Sequence, residues 1–83
     1  MAVSTENAAA AIHEWLRENV TGGREVPDDY PLIENGVLTS LQTVELVTFL
    51  EDRFGIFVED EEFDEENFGS VEAIASLVAS KTA

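Results

Sequence analysis

Three stretches of the chain repeat apolar residues at intervals of three and four, and each predicts an amphipathic helix. In the first, Ala8, Ile12, Trp15, Leu16 and Val20 share one stripe. Ser4 or Thr5 supplies its cap, Ala8 to Ala11 favour helix, and Thr21-Gly22-Gly23 ends it, so a helix is expected over about residues 5–20. In the second, Leu41, Val44, Val47, Leu50 and Phe54 make the main stripe, and Leu46 and Phe49 widen it. Gly55 follows as a stop with Ile56 behind it, which places this helix at about 40–54, with Glu45, Glu51 and Asp52 on or near its solvent side. In the third, Val71, Ile74, Leu77 and Val78 face inward over about 71–80. Ser70 is its expected cap, and Lys81 suits the negative end of the helix dipole.

The segments between these helices are not featureless. Pro27 and Pro31 forbid a helix through Gly22–Leu38, a connection of seventeen residues within an expected loop over 21–39. That is long for so small a domain. Val26, Tyr30, Leu32, Ile33, Val37 and Leu38 are expected to pin it to the core, and Asn35-Gly36 signals a turn. Further on, seven of the eight residues Glu59 to Glu66 are acidic, yet Val58, Phe63 and Phe68 punctuate the tract five apart. Those anchors predict a short helix or turn within 58–68. The expected architecture is all-α: a small four-helix bundle of three main helices and a short third one, with residues 1–83 forming a single domain.

Charge narrows the partners. Eighteen Asp and Glu stand against four Lys and Arg, a net charge of −14. Such a surface repels nucleic acid and anionic membranes and attracts proteins with basic patches. The chain has no cysteine, so no disulfide supports the core and nothing points to a zinc site. Its start lacks the basic residues and apolar run of a secretory leader, and no apolar run approaches the ~20 residues that span a bilayer. A monomeric cytoplasmic protein is the expectation.

Candidate chemistry is sparse. The single histidine, His13, reads as a solvated surface residue beside the first stripe. A pairing of His13 with Ser40 lacks oxyanion glycines or a third partner. The acidic tract does not make a calcium loop either. Counted from Asp60 the sixth position is Glu65, and counted from Asp64 a liganding position falls on Phe68. No catalytic residue and no metal ligand is expected.

Two adjacent hydroxyls, Thr39 and Ser40, open the second helix. Thr39 with Gln42 three positions on fits the reciprocal capping pattern, in which case Ser40 is the first helical residue and its hydroxyl is spare. Alternatively Ser40 is the cap and Thr39 an ordinary loop residue. A hydroxyl at a helix start is a suitable attachment point for a phosphodiester, because free backbone N–H groups and the dipole favour negative charge there.

Gly36, Leu38, Ser40, Leu41, Val44, Glu45, Leu46, Glu51, Phe54 and Gly55 together resemble the acyl and peptidyl carrier protein family, most strongly over Leu32 to Ile56. The resemblance implies that Ser40 bears a 4′-phosphopantetheine arm derived from coenzyme A, whose thiol holds an acyl or aminoacyl group as a thioester. Thr39 and Leu41 would flank the attachment point, and Leu41, Glu45, Glu51 and Asp52 would dock partners. The implied partners are a phosphopantetheinyl transferase, a loading enzyme, and downstream synthases or transferases with basic patches. Thr39 departs from the Asp usual before the modified serine, which bears on how well a transferase recognises the site. Glu62 to Ile74 looks more like discrete carriers of secondary metabolism, or D-alanyl carriers, than a housekeeping fatty-acid carrier. The expected role is an acyl carrier of a polyketide-type or fatty-acid-type pathway; the alternatives are an aminoacyl or peptidyl carrier, or an unmodified acidic interaction module.

Overall fold

The structure, a computed structural model, describes residues 3–82. Among these residues there are helices and turns but no strand, as the periodicity requires. α1 (Thr5–Asn19) begins at Ser4, whose Oγ accepts the Asn7 N–H at 3.1 Å. α2 (Ser40–Phe54) ends at Gly55, which takes a left-handed φ of 65° and donates its N–H to the Glu51 carbonyl. A 3₁₀ turn (Asp60–Glu62) leads to α3 (Glu65–Phe68), capped by Asp64. α4 (Val71–Thr82) starts where the Ala73 N–H meets Ser70 Oγ at 3.1 Å.

α4 is the hub of the bundle: α1 packs along it, and α2 and α3 pack against it as well. Ile12 and Leu16 of α1, Leu46 and Leu50 of α2, Phe68 of α3, and Ile74 and Val78 of α4 are all essentially inaccessible. Burying each such side chain stabilises the fold by about 1.5–3 kcal/mol before the entropy of ordering it is charged. Trp15 sits at the edge of this core, tilted against Phe49 with ring centroids 6.3 Å apart.

On α2 the buried face is rotated from the expected stripe. Leu41 is 70% exposed and Val44 51%, whereas Thr43, Leu46, Val47 and Leu50 are buried. The reason is Thr43. Its Oγ1 donates to the Thr39 carbonyl at 2.8 Å, so its polar atom is satisfied within the helix and the side chain can be buried. The result frees Leu41 and Val44 for the surface.

The long connection is held at both ends of its apolar run. The Leu32 N–H donates to the Gly69 carbonyl at 2.6 Å, and Leu32 and Leu38 are buried in the core. The Val37 and Leu38 N–H groups both return to the Leu32 carbonyl, which folds residues 32–38 into one compact turn. Earlier in the loop, the Asp28 carbonyl accepts the Glu72 N–H of α4, and its carboxylate meets His13 of α1. His13 is therefore corrected: it is a half-buried contact between loop and helix, not a solvated surface side chain.

Candidate functional site

The start of α2 carries the full reciprocal cap. Thr39 Oγ1 accepts the Gln42 N–H at 3.2 Å, and Gln42 Oε1 accepts the Thr39 N–H at 3.1 Å. Of the two arrangements that the sequence allows, Thr39 is the cap and Ser40 is the first helical residue. The hydrogen bonds at this end belong to Thr39, Gln42 and Thr43, and Ser40 Oγ takes part in none of them. Ser40 is exposed, and Leu41 beside it presents its side chain to solvent.

The first turn of α2 itself holds no acidic residue, although Asp64 and Glu65 border the same cleft as Ser40. Every other α-helix carries at least one carboxylate in its first turn. With Thr39 in the capping position, the cap adds no charge either. The residues present therefore fit a phosphodiester at Ser40 Oγ: an unengaged nucleophilic oxygen, exposed, at the positive end of a fifteen-residue helix.

Ser40 opens onto a cleft of about 420 Å³ between the loop, α2 and α3. Leu38 and Phe68, both buried, form its floor, and Ile33, Val44 and Phe63 line its sides. Phe63 is kept over the floor by stacking on Phe68, ring centroids 5.8 Å apart. Asp64 and Glu65 stand at the exposed rim, and no Lys or Arg lines the cleft. A second hollow, of about 450 Å³, lies on the other flank of Thr39 beside Val20, Arg24, Tyr30 and Gln42, but Ser40 does not border it. Thr39 is the wall between the two.

The remaining residues singled out from the sequence fall into two groups. Glu45 and Asp52 are exposed on α2 with Leu41. Glu51 is half-buried, and its Oε2 accepts the Val58 N–H at 2.9 Å, so one oxygen is committed to fixing the chain after Gly55. His13 borders neither hollow at Ser40. Sequence reasoning missed Ile33, Val44, Phe63, Asp64 and Glu65 as neighbours of the serine. Val44 was legible in principle, had Thr43 been allowed to count as an inward residue.

In the acidic tract, Lys81 Nζ of α4 reaches Glu62 Oε1 at 2.7 Å. This contact, together with the Glu59 N–H, holds the Glu62 carboxyl below its ordinary value of 4.5. Among the described residues, no group of three or more His, Cys, Asp or Glu is placed to hold a metal ion. None of the described helices is long and apolar enough to cross a membrane.

The helix order, the long pinned loop and the serine at the head of α2 define a small helical bundle of the acyl-carrier type. Comparison with known proteins agrees. No family model matches the chain. It is, however, 40% identical over 65 residues to the D-alanyl carrier protein of Enterococcus faecalis (strain ATCC 700802 / V583), covering 76% of this chain and 83% of that one. It also superposes with a TM-score of 0.73 and 25% identity on a chain of a solved structure described as the crystal structure of FAD-dependent dehydrogenase. That match covers 81% of this chain and 97% of the other. The chain belongs to the phosphopantetheine-type carrier protein family.

Proposed function

We propose that Ser40 bears a 4′-phosphopantetheine arm and that the protein presents a thioester-bound intermediate to separate enzymes. The observation that carries this reading is the Ser40 hydroxyl, exposed at the head of α2 and left out of the capping bonds made by its neighbour. Ser40 Oγ would take the phosphodiester, the α2 N-terminus would stabilise its charge by about 0.3–1 kcal/mol, and Thr39 would hold the helix end in place. The arm supplies the thiol that carries the cargo. The chain supplies attachment, a tether that raises local concentration, and a docking face.

Leu41, Val44, Glu45 and Asp52 form that face, with an apolar centre and acidic flanks suited to basic partner surfaces. Glu51 contributes less, since half of its carboxylate is engaged. Partners would be a phosphopantetheinyl transferase, a loading enzyme and downstream synthases or transferases.

Two cargo classes remain in play, acyl groups of a polyketide-type or fatty-acid-type pathway and aminoacyl groups. The name of the D-alanyl carrier relative favours the second. The test of the common claim is intact mass after incubation with coenzyme A and a broad-specificity phosphopantetheinyl transferase. The native chain should gain one phosphopantetheine and Ser40→Ala none. A folded native chain that gains nothing, beside a control carrier that does, would overturn the assignment.

A further inference from the structure

The two hollows that flank Thr39 differ in the charge they offer. The cleft beside Ser40 is bordered by Asp64 and Glu65 and by no basic residue. The hollow on the other flank, of about 450 Å³, is bordered by Arg24 and by no carboxylate. In a chain with four basic residues against eighteen acidic ones, a cation facing a hollow free of acids stands out.

That cation is unpaired. Among the described residues the ion pairs are His13–Asp28, Arg17–Glu25 and Lys81–Glu62, and Arg24 enters none of them. The local turn uses only its backbone, whose carbonyl accepts the Thr21 hydroxyl. The guanidinium is left with its fork of N–H donors. Gln42 is in a similar position: the cap takes its backbone N–H and its Oε1, and its Nε2 keeps two N–H groups to offer. Half-buried Tyr30 adds a phenol hydroxyl, and Val20 and Val37 supply apolar wall between these donors.

A ligand that suits this surface is rich in acceptor oxygens, anionic at one point, and otherwise neutral with some branched carbon. The group expected on Ser40 has that make-up: a phosphodiester at its root, then a gem-dimethyl carbon, a hydroxyl and a pair of amides. In the cleft the same phosphodiester would meet Asp64 and Glu65. We propose that Arg24, Tyr30 and Gln42 form the resting seat of the arm, drawing it from Ser40 across Thr39 into the polar hollow. The proposal rests on the reading of Ser40 as the attachment point. Thr39, the wall between the two hollows, carries no charge to bar the way. Contacts to exposed donors such as Arg24 are individually weak, so the seat holds the arm between enzymes and still releases it to one.

The test uses isotope-labelled chain loaded from coenzyme A by a broad-specificity transferase and read by NMR. Nuclear Overhauser contacts should join the arm's gem-dimethyl protons to Tyr30 and Val37. Arg24→Gln removes the charge and leaves the backbone turn, so its amide spectrum should otherwise match the native one. Its docked fraction, read from those contacts, should fall about two- to five-fold. Raising sodium chloride from about 0.01 to 0.2 M should weaken the contacts in the native chain more than in the variant. Arm contacts to Val44 and Phe63 instead, contacts to neither hollow, or undiminished contacts in Arg24→Gln would overturn the proposal. Absence of any mass gain at Ser40 would instead overturn the carrier reading beneath it.

Discussion

At the scale of single residues, Thr39 does two jobs that can be separated by mutation. Its hydroxyl caps α2, and its neutrality leaves the helix start free of negative charge. Thr39→Ala removes the first and should cost about 0.5–2 kcal/mol of stability, read from the midpoint of urea unfolding. Thr39→Asp keeps a cap and restores the residue usual before the modified serine in carrier proteins. It should leave stability within about 0.5 kcal/mol of the native value and speed transfer of phosphopantetheine by a broad-specificity transferase. An Asp variant modified no faster than the native chain would mean that Thr39 is not what limits recognition. Glu62 makes the second residue-scale case. Its carboxyl is lowered in the folded chain, first by the hydrogen bond from Lys81 and then by the Glu59 N–H. A lowered carboxylate stabilises the fold above its unfolded value of 4.5, and that contribution disappears as pH falls through the folded value. Glu62→Gln should therefore unfold earlier than the native chain in thermal melts at pH 7, and the gap should close in melts taken well below pH 4.5.

At the scale of elements, the join between α3 and α4 is tightly constrained at Gly69. A Cβ on Gly69 would stand 2.3 Å from the Glu65 carbonyl oxygen, closer than any side chain tolerates. The Gly69 carbonyl also receives the Leu32 N–H, so a shift here is passed to the loop that leads to Ser40. Gly69→Ala should cost about 1–3 kcal/mol in denaturant unfolding, the range for overpacking a close contact. Resonances of Leu32 and Leu38 should shift with it, whereas Gly69→Ala with an unchanged midpoint would show that the α3 turn relaxes freely. The three long helices were legible from apolar spacing, and so were the Thr39–Gln42 cap and the Gly55 stop. Each of those is a local pattern of two to four residues. What the spacing missed needed a partner distant in sequence or a polar group satisfied inside its own helix. His13 meets Asp28 only because the loop doubles back over α1. Thr43 turns inward only because Thr39 accepts its hydroxyl. The Ser40 cleft joins residues from Ile33 to Phe68, and no window of the sequence contains both walls.

At the scale of the molecule, the imbalance of eighteen acidic against four basic side chains sets the response to solvent. Among the described residues only three ion pairs form, His13–Asp28, Arg17–Glu25 and Lys81–Glu62, so most carboxylates have no basic partner. Such a chain repels itself when folded compactly, and salt screens that repulsion over roughly 10 Å at 0.1 M. Raising sodium chloride from about 0.01 to 0.2 M at pH 7 should raise Tm, and the same salt should weaken binding to any basic partner. A Tm that falls with salt would mean that the three pairs outweigh the repulsion.

The edge position of Trp15 gives the chain a clean optical division of labour. It is the sole tryptophan, it leans on Phe49 at the seam of α1 and α2, and it borders neither hollow beside Ser40. Its emission therefore reports whether the bundle is intact while staying silent about what hangs from the serine. Scaffold and cargo can be watched on the same sample through independent channels, one by fluorescence and one by mass.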